Sequence, residues 1–183
     1  TGKAGWGETY GIVAPKATTA IIIDLLANFV VGRDPAEASA IHDDLYSLMR
    51  VRGYTGGFYL DALAAVDIAL WDAAGKVAGK PVYELLGGRK REELSGYLSG
   101  LPKPTLDERA AFAKDWLGRG FNRFKFAGAV AGEGIVQEMS KLREALGDDA
   151  RIACDMHWAH TPDEAIAAVN QMEPHGLWFA EAP

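Results

Sequence analysis

The sequence predicts an α/β fold in which a mostly helical unit precedes a parallel sheet, and three observations carry this. From about residue 94 onward, strand-like and helix-like stretches alternate four times. One helix separates each strand from the next, the rhythm of βαβ units with right-handed crossovers and a parallel sheet. Before that point the apolar spacing is mainly helical, so residues 1–93 read as one unit and residues 94–183 as a second. The rhythm alone fits both an eight-fold barrel and an open doubly wound sheet.

The elements follow in order. "GWGETYG" at the start is glycine-rich and strand-like. "TTAIIIDLLANFVVG" reads as a helix closed by Gly32, and "DPAEASAIHDDLYSLMR" as a second. In the second, Asp34 is the N-cap, Pro35 opens the first turn and Glu37 stands three residues after the cap. "RVRGYTGG" is a glycine-punctuated loop. "FYLDALAAVDIALWDAAGKVAG" is a long helix, apolar at Leu63, Val66, Ala69, Leu70 and Ala73. "PVYELLGG" is a short helix ending on paired glycines. In the second unit "LSGYLSG" is the first strand, and Thr105 with Glu108 makes a capping box for the helix through "RAAFAKDWLGRG". "FNRFKFAGA" is the second strand, "EGIVQEMSKLREALG" a helix and "RIACDM" the third strand. Thr161, Pro162 and Glu164 open another capped helix before the last strand, "GLWFAEAP".

Strand alternation predicts which side chains share a face. Ile152, Cys154 and Met156 point one way, and Ala153, Asp155 and His157 the other. Trp178 and Ala180 oppose Leu177, Phe179 and Glu181; Phe124 and Phe126 oppose Arg123, Lys125 and Ala127. One face is thus apolar enough to lie under helices. The other carries Lys125, Asp155, His157 and Glu181 near the C-terminal strand ends, the edge where parallel α/β folds form their active sites.

Composition bounds the partners. The chain has 183 residues, is 49% hydrophobic and 24% charged, and carries a net charge of −6. That is the profile of a globular domain, and without a basic run neither nucleic acid nor an anionic membrane is an expected partner. The longest apolar run, Ala20 to Leu26, is interrupted by Asp24 and too short to span a bilayer. No charged-then-apolar leader opens the chain, and its single cysteine, Cys154, cannot form an internal disulfide. A cytoplasmic location is the expectation.

Asp155 and Glu181 lie one βα repeat apart and are expected side by side on neighbouring strands. Two carboxylates about 4 Å apart repel by roughly 4 kcal/mol at an effective dielectric near 20. One of them takes a proton, or a cation sits between them. Oxygen ligands without a nearby thiolate favour a hard ion such as Mg²⁺. The plainer alternative makes Asp155 a strand-end cap and Glu181 a solvated loop acid, with Lys125 their salt-bridge partner and His157 and His160 structural.

These residues carry a family resemblance. "AVDIALWDAAGKVAGKPVYELLGG", "GFNRFKF", "CDMH" and "FAEAP" resemble the mandelate racemase subgroup of the enolase superfamily over nearly the whole chain. The resemblance implies an N-terminal α+β capping domain (1–93) on the first half of a modified (β/α)8, TIM-like barrel (94–183). It implies Mg²⁺ bound by Asp155 and Glu181 and engaged with a substrate carboxylate, as Lewis-acid catalysis of α-proton removal. Many members carry Lys-x-Lys on the second strand; here Lys125 matches the first lysine, and Ala127 replaces the second, a base. Asp155-Met156-His157 resembles instead the acid-sugar dehydratases of galactonate and mannonate type, in which the histidine is the general acid for the departing β-hydroxyl. An imidazole, titrating at about 6.5, suits that task near neutrality. Ala159 stands where such members often have arginine, which leaves the sugar open.

The expected function is therefore an Mg²⁺-dependent lyase converting an acid sugar to a 2-keto-3-deoxy acid. His157 and Lys125 are its catalytic candidates, and Lys125 and His160 its substrate contacts. A racemase or epimerase, or a non-catalytic homologue, are the alternatives. The resemblance also implies further cap strands, a third metal ligand on a fifth strand and a His–Asp base beyond it. The chain is accordingly expected to be part of a longer protein that needs the remainder of its own barrel. Half a barrel would expose sheet edges and apolar faces, so the isolated chain is expected to aggregate or lack activity. By analogy the protein is a homo-oligomer.

Overall fold

The computed structural model describes residues 2–11 and 13–183. The chain forms two compact units, Thr1–Glu92 and Glu93–Pro183.

The first unit is helical. α1 (Pro15–Val30) starts on a proline, and its middle, Ile21–Leu26, winds as a π-helix. The wide turns coincide with three consecutive isoleucines, whose branched β-carbons crowd an α-turn. Asp34 caps the 3₁₀ turn Pro35–Glu37, its side chain accepting from the Ala36 N–H at 2.9 Å, and α2 (Ala38–Arg50) follows. The long α3 (Gly57–Ala78) stops at Gly79, whose φ of +68° closes the helix at no steric cost. α4 (Val82–Leu85) is one turn. Leu26, Ile41, Leu45, Ala62 and Leu63 form the core of this unit, and the buried Tyr59 hydroxyl donates to the Leu45 carbonyl.

"GWGETYG" is not a strand: residues 2–11 pair with no strand among the described residues. The segment instead lies along α3. The Trp6 N–H donates to Asp72 Oδ2 at 2.7 Å, and Lys76 Nζ donates to the Ala4 carbonyl at 2.9 Å. A Cβ on Gly5 would strike the Ala69 carbonyl, and one on Gly7 the Ala65 carbonyl. These glycines therefore serve close approach to a helix and not a sheet.

The second unit alternates strand and helix as the sequence predicts: β1 (Leu98–Ser99), α5 (Leu106–Gly118), β2 (Arg123–Ala127), α6 (Ile135–Leu146), β3 (Arg151–Asp155), α7 (Pro162–Met172) and β4 (Leu177–Glu181). Both halves of the capping box at α5 are present: the Thr105 N–H donates to Glu108 Oε2 at 3.1 Å, and the Glu108 N–H to Thr105 Oγ1 at 3.3 Å. At α7 the Thr161 N–H donates to Glu164 Oε2 at 2.8 Å, which holds the Glu164 carboxyl below its usual range.

The sheet is parallel, with strands in the order β1-β2-β3-β4. A doubly wound sheet reverses its strand order at a switch point; this one does not. Phe124, Phe126, Ile152, Cys154 and Met156 pack against Ala113, Met139, Leu142 and Met172 of the helices, so the helices cover one face. That winding belongs to a barrel wall. Outside it, buried Arg109 on α5 makes a bidentate pair with Glu138 on α6, at 2.7 and 2.6 Å.

Alternation along β4 is not strict. Ile152 pairs with Leu177 but Cys154 with Ala180, so β4 carries one extra residue in a bulge. Leu177 and Ala180 consequently both pack on the helix-side core, where strict alternation would have opposed them.

Two predictions follow from this core. Phe124 is fully buried, and Phe124→Ala should lower stability by about 3–5 kcal/mol, read as an earlier urea midpoint with an unchanged slope. Burial pushes the Cys154 thiol up to about 12. A thiol reagent at mildly alkaline pH should leave the folded protein unmodified and react on unfolding; fast labelling of folded protein would contradict the packing.

Candidate active site

The site is built by register. Ala127 pairs with Asp155, and Asp155 with Glu181, so three adjacent strand ends lie in one row. Lys125 lies two residues earlier on β2, paired with Ser99 and Ala153. Side chains two residues apart share a strand face, so Lys125 runs along the sheet toward the row above. The small side chains of Ala153 and Ala127 leave room for its stem.

Its ammonium contacts Glu181 Oε2 and stands 3.8 Å from Asp155 Oδ2. The hydrogen bond to Glu181 holds the Lys125 pKa above its ordinary value, against the opposing effect of burial. The ammonium also lies 5.7 Å from the Tyr97 ring centroid. Tyr97 meets Trp178 and Phe179 edge-on, each at 6.2 Å. Exposure is graded: the Asp155 side chain is 19% exposed and that of Glu181 45%.

His157 sits differently from the expectation. β3 ends at Asp155, and His157 has left the strand with φ +55°; Trp158 follows at +51°. Alternation therefore does not set its direction; Asp155 does. The His157 N–H donates to Asp155 Oδ1 at 3.1 Å, and Nδ1 lies 3.0 Å from the same oxygen and 3.2 Å from the Asp155 carbonyl. An Nδ1–H tautomer satisfies these contacts and leaves Nε2 free. The loop is anchored across the sheet: the Met156 N–H donates to the Glu181 carbonyl at 2.9 Å, and the Trp158 N–H to the Ala182 carbonyl at 2.7 Å. Ala182 is also left-handed, at φ +45°. Non-glycine residues in this region cost roughly 1–2 kcal/mol each and persist where their surroundings hold them, often at functional sites.

The structure thus brings Lys125, Asp155, Glu181 and His157 together. His160 makes no hydrogen bond to either acid; it lines a separate cleft of about 450 Å³ with Gly128, Gly134, Gln137, Met156 and His157. Its buried Nδ1 has no hydrogen-bond partner among the described residues. Two features escaped sequence reasoning, Tyr97 under the ammonium and the left-handed turn at His157. Neither a ring preceding a two-residue strand nor a positive φ at histidine has a sequence signal. A larger cavity of about 730 Å³ lies in the first unit, bounded by Trp6, Ile68, Trp71, Val82 and Leu86.

The donors suit a hard cation. Asp155 and Glu181 offer carboxylate oxygens with no thiolate facing them, since Cys154 points to the opposite, helix-side core. The ammonium between them shows that the pair takes positive charge there. Among the described residues no cluster of three or more acid, histidine or thiol donors is assembled for a metal ion. No single helix among them is long and apolar enough to cross a membrane.

Comparison with known proteins agrees with this fold. Residues 1–87 match the profile of the mandelate racemase / muconate lactonizing enzyme N-terminal domain, and residues 108–183 that of the enolase C-terminal domain-like family. A D-galactarolactone cycloisomerase from Agrobacterium fabrum is 32% identical over 98% of this chain and 48% of its own length. A D-galactonate dehydratase from Xanthomonas euvesicatoria pv. vesicatoria is 33% identical over 100% of this chain and 49% of its own. The chain spans about half the length of the curated relatives it matches. Among solved structures, an enolase superfamily member from Agrobacterium tumefaciens superposes with a TM-score of 0.93 at 59% identity, over 98% of this chain and 46% of that one. A mandelate racemase/muconate lactonizing protein from Paracoccus denitrificans, complexed with magnesium, gives 0.84 at 28% identity over 98% and 50%. With both domain profiles matched in order and the parallel half-barrel to go with them, the chain belongs to the mandelate racemase/muconate lactonizing enzyme family of the enolase superfamily.

Proposed function

We propose that the protein containing this chain is an Mg²⁺-dependent acid-sugar dehydratase, forming a 2-keto-3-deoxy acid. The observation that carries the reading is the registered row of Asp155 and Glu181, with His157 held by Asp155 at its end. Asp155 and Glu181 would hold the metal. Bound there, Mg²⁺ supplies Lewis-acid polarisation of the substrate carboxylate, which makes the adjacent C–H more acidic.

The remaining steps belong to this chain's side chains. The Lys125 ammonium offers a second positive charge to the substrate carboxylate from the floor of the site. Transfer of the α-proton to a base supplied by the remainder of the full-length protein leaves an electron pair on the α-carbon; that pair forms the new C=C bond as the β-C–O bond breaks. As the imidazolium, with its Nδ1–H held by Asp155, His157 donates its Nε2 proton to the departing hydroxyl, which leaves as water and returns the ring to the neutral Nδ1–H form. The enol product then tautomerises to the 2-keto acid. β2 supplies no base at Ala127, so its contribution is charge and not proton removal. His160, at the neighbouring cleft, is the candidate contact for the far end of the sugar acid. A cytoplasmic homo-oligomer acting on a free small molecule completes the proposal; no single helix among the described residues is long and apolar enough to cross a membrane.

The relative named a cycloisomerase favours a second reading. There the same acid site would move a proton and open or close a ring without releasing water.

The test is a screen of acid sugars with Mg²⁺ and the full-length protein, assayed for 2-keto acid. His157→Asn should reduce dehydration by about 10²–10⁴-fold and leave divalent-ion affinity within about twofold. Undiminished turnover in that variant would remove His157 as the acid, and ring-opened product without 2-keto acid would favour the cycloisomerase.

A further inference from the structure

Lys125 meets both acids of the row at once. Its ammonium touches Glu181 Oε2, stands 3.8 Å from Asp155 Oδ2 and is largely shielded from water. A divalent ion bound by the same two carboxylates would need the same oxygens, and like charges a few ångströms apart repel strongly in a shielded site. Both cations cannot hold the pair together. We propose that Lys125 is a built-in counter-cation that keeps the two carboxylates together without metal and is displaced when a divalent ion enters. This deepens the reading of Asp155 and Glu181 as metal ligands and rests on it.

The structure supplies what displacement requires. Lysine holds Glu181 through a single ammonium contact and not a fork, so it can let go one oxygen at a time. Its four-carbon stem runs beside Ala153 and Ala127, which place no bulk in its way. The Tyr97 ring, 5.7 Å from the ammonium, offers the charge a resting face. That ring is itself fixed edge-on by Trp178 and Phe179. Glu181, the more exposed acid, lies on the solvent side of the pair, where an incoming ion first competes with the ammonium.

Displacement gives Lys125 opposite effects on two measurable quantities. It stabilises the metal-free protein and weakens metal binding. A lysine that only shapes the strand would support both or neither. The experiment measures Mn²⁺ affinity by titration calorimetry, and melting temperature with and without Mn²⁺, on the full-length protein. Lys125→Met should bind Mn²⁺ about tenfold more tightly, the equivalent of roughly 1.4 kcal/mol, while its metal-free form melts lower than wild type. Lys125→Gln should shift both in the same directions if the apolar variant folds poorly. Lys125→Arg, which keeps the charge, should bind no more tightly than wild type. Unchanged or weaker Mn²⁺ binding in both neutral variants would overturn the displacement. Its failure is separable from that of the site: if wild type binds no Mn²⁺, or Asp155→Asn binds it as well as wild type does, the metal-ligand reading falls first.

Discussion

The site depends on one constraint, the parallel register that sets Asp155 beside Glu181. Helix crossovers fix that register, and the apolar helix-side face keeps it from slipping, because a shift of one residue would turn Phe124, Phe126, Ile152 and Cys154 away from their core. With the strands locked, two carboxylates must share a strand end whatever their mutual repulsion. The neighbouring residues then become intelligible. Ala127 and Ala153 are small where a long cation has to pass, and Lys125 places its charge where the acids meet. The left-handed turn at His157 folds an imidazole back onto Asp155 instead of letting the strand run on.

The bulge in β4 serves the same end. Between Ile152/Leu177 and Cys154/Ala180 the pairing gains one residue on β4. Without it, Leu177 would leave the helix-side core if Ala180 stayed there. With it, both pack partly buried against the helix-side core and Glu181 still arrives opposite Asp155. A local irregularity thus reconciles the packing of one face with the charge placement on the other, as bulges beside functional sites often do.

What was legible in the sequence follows from how local each signal is. The capping boxes at Thr105 and Thr161 were readable because cap and partner lie within one helical turn. The core strands were readable because Phe124-x-Phe126 and Ile152-x-Cys154 alternate over a face that packs uniformly. The acid row was readable because equal βα repeats carry register forward. Besides Tyr97 under the ammonium, three features were not legible. "GWGETYG" has the composition of a strand, but its glycines answer to the backbone of α3, a contact dozens of residues away. The β4 bulge depends on how β3 packs, and the direction of His157 depends on a positive φ that is uncommon for any residue but glycine. In each case a distant or backbone-level requirement outweighed the local pattern.

The second unit holds two buried cations paired with carboxylates, Arg109 and Lys125, and their difference separates structure from function. Arg109 and Glu138 are each 1% exposed, joined by two short hydrogen bonds, with the guanidinium also donating to the Lys103 and Pro104 carbonyls at 3.0 and 3.1 Å. Four of the five N–H donors are hydrogen-bonded, with Glu133 3.6 Å from the remaining side, so removing either partner strands a charge in a dry environment; the pair is a staple between α5 and α6. Lys125 is arranged the other way. It faces two acids but makes one close contact, lies over an aromatic ring that asks for no fixed geometry, and has a partner that is nearly half exposed. A planar fork would have fixed the acids permanently. A point charge on a flexible stem holds them only until a stronger cation arrives. The choice of lysine at the strand ends and arginine between the helices is therefore what the two places require, the one exchangeable and the other fixed.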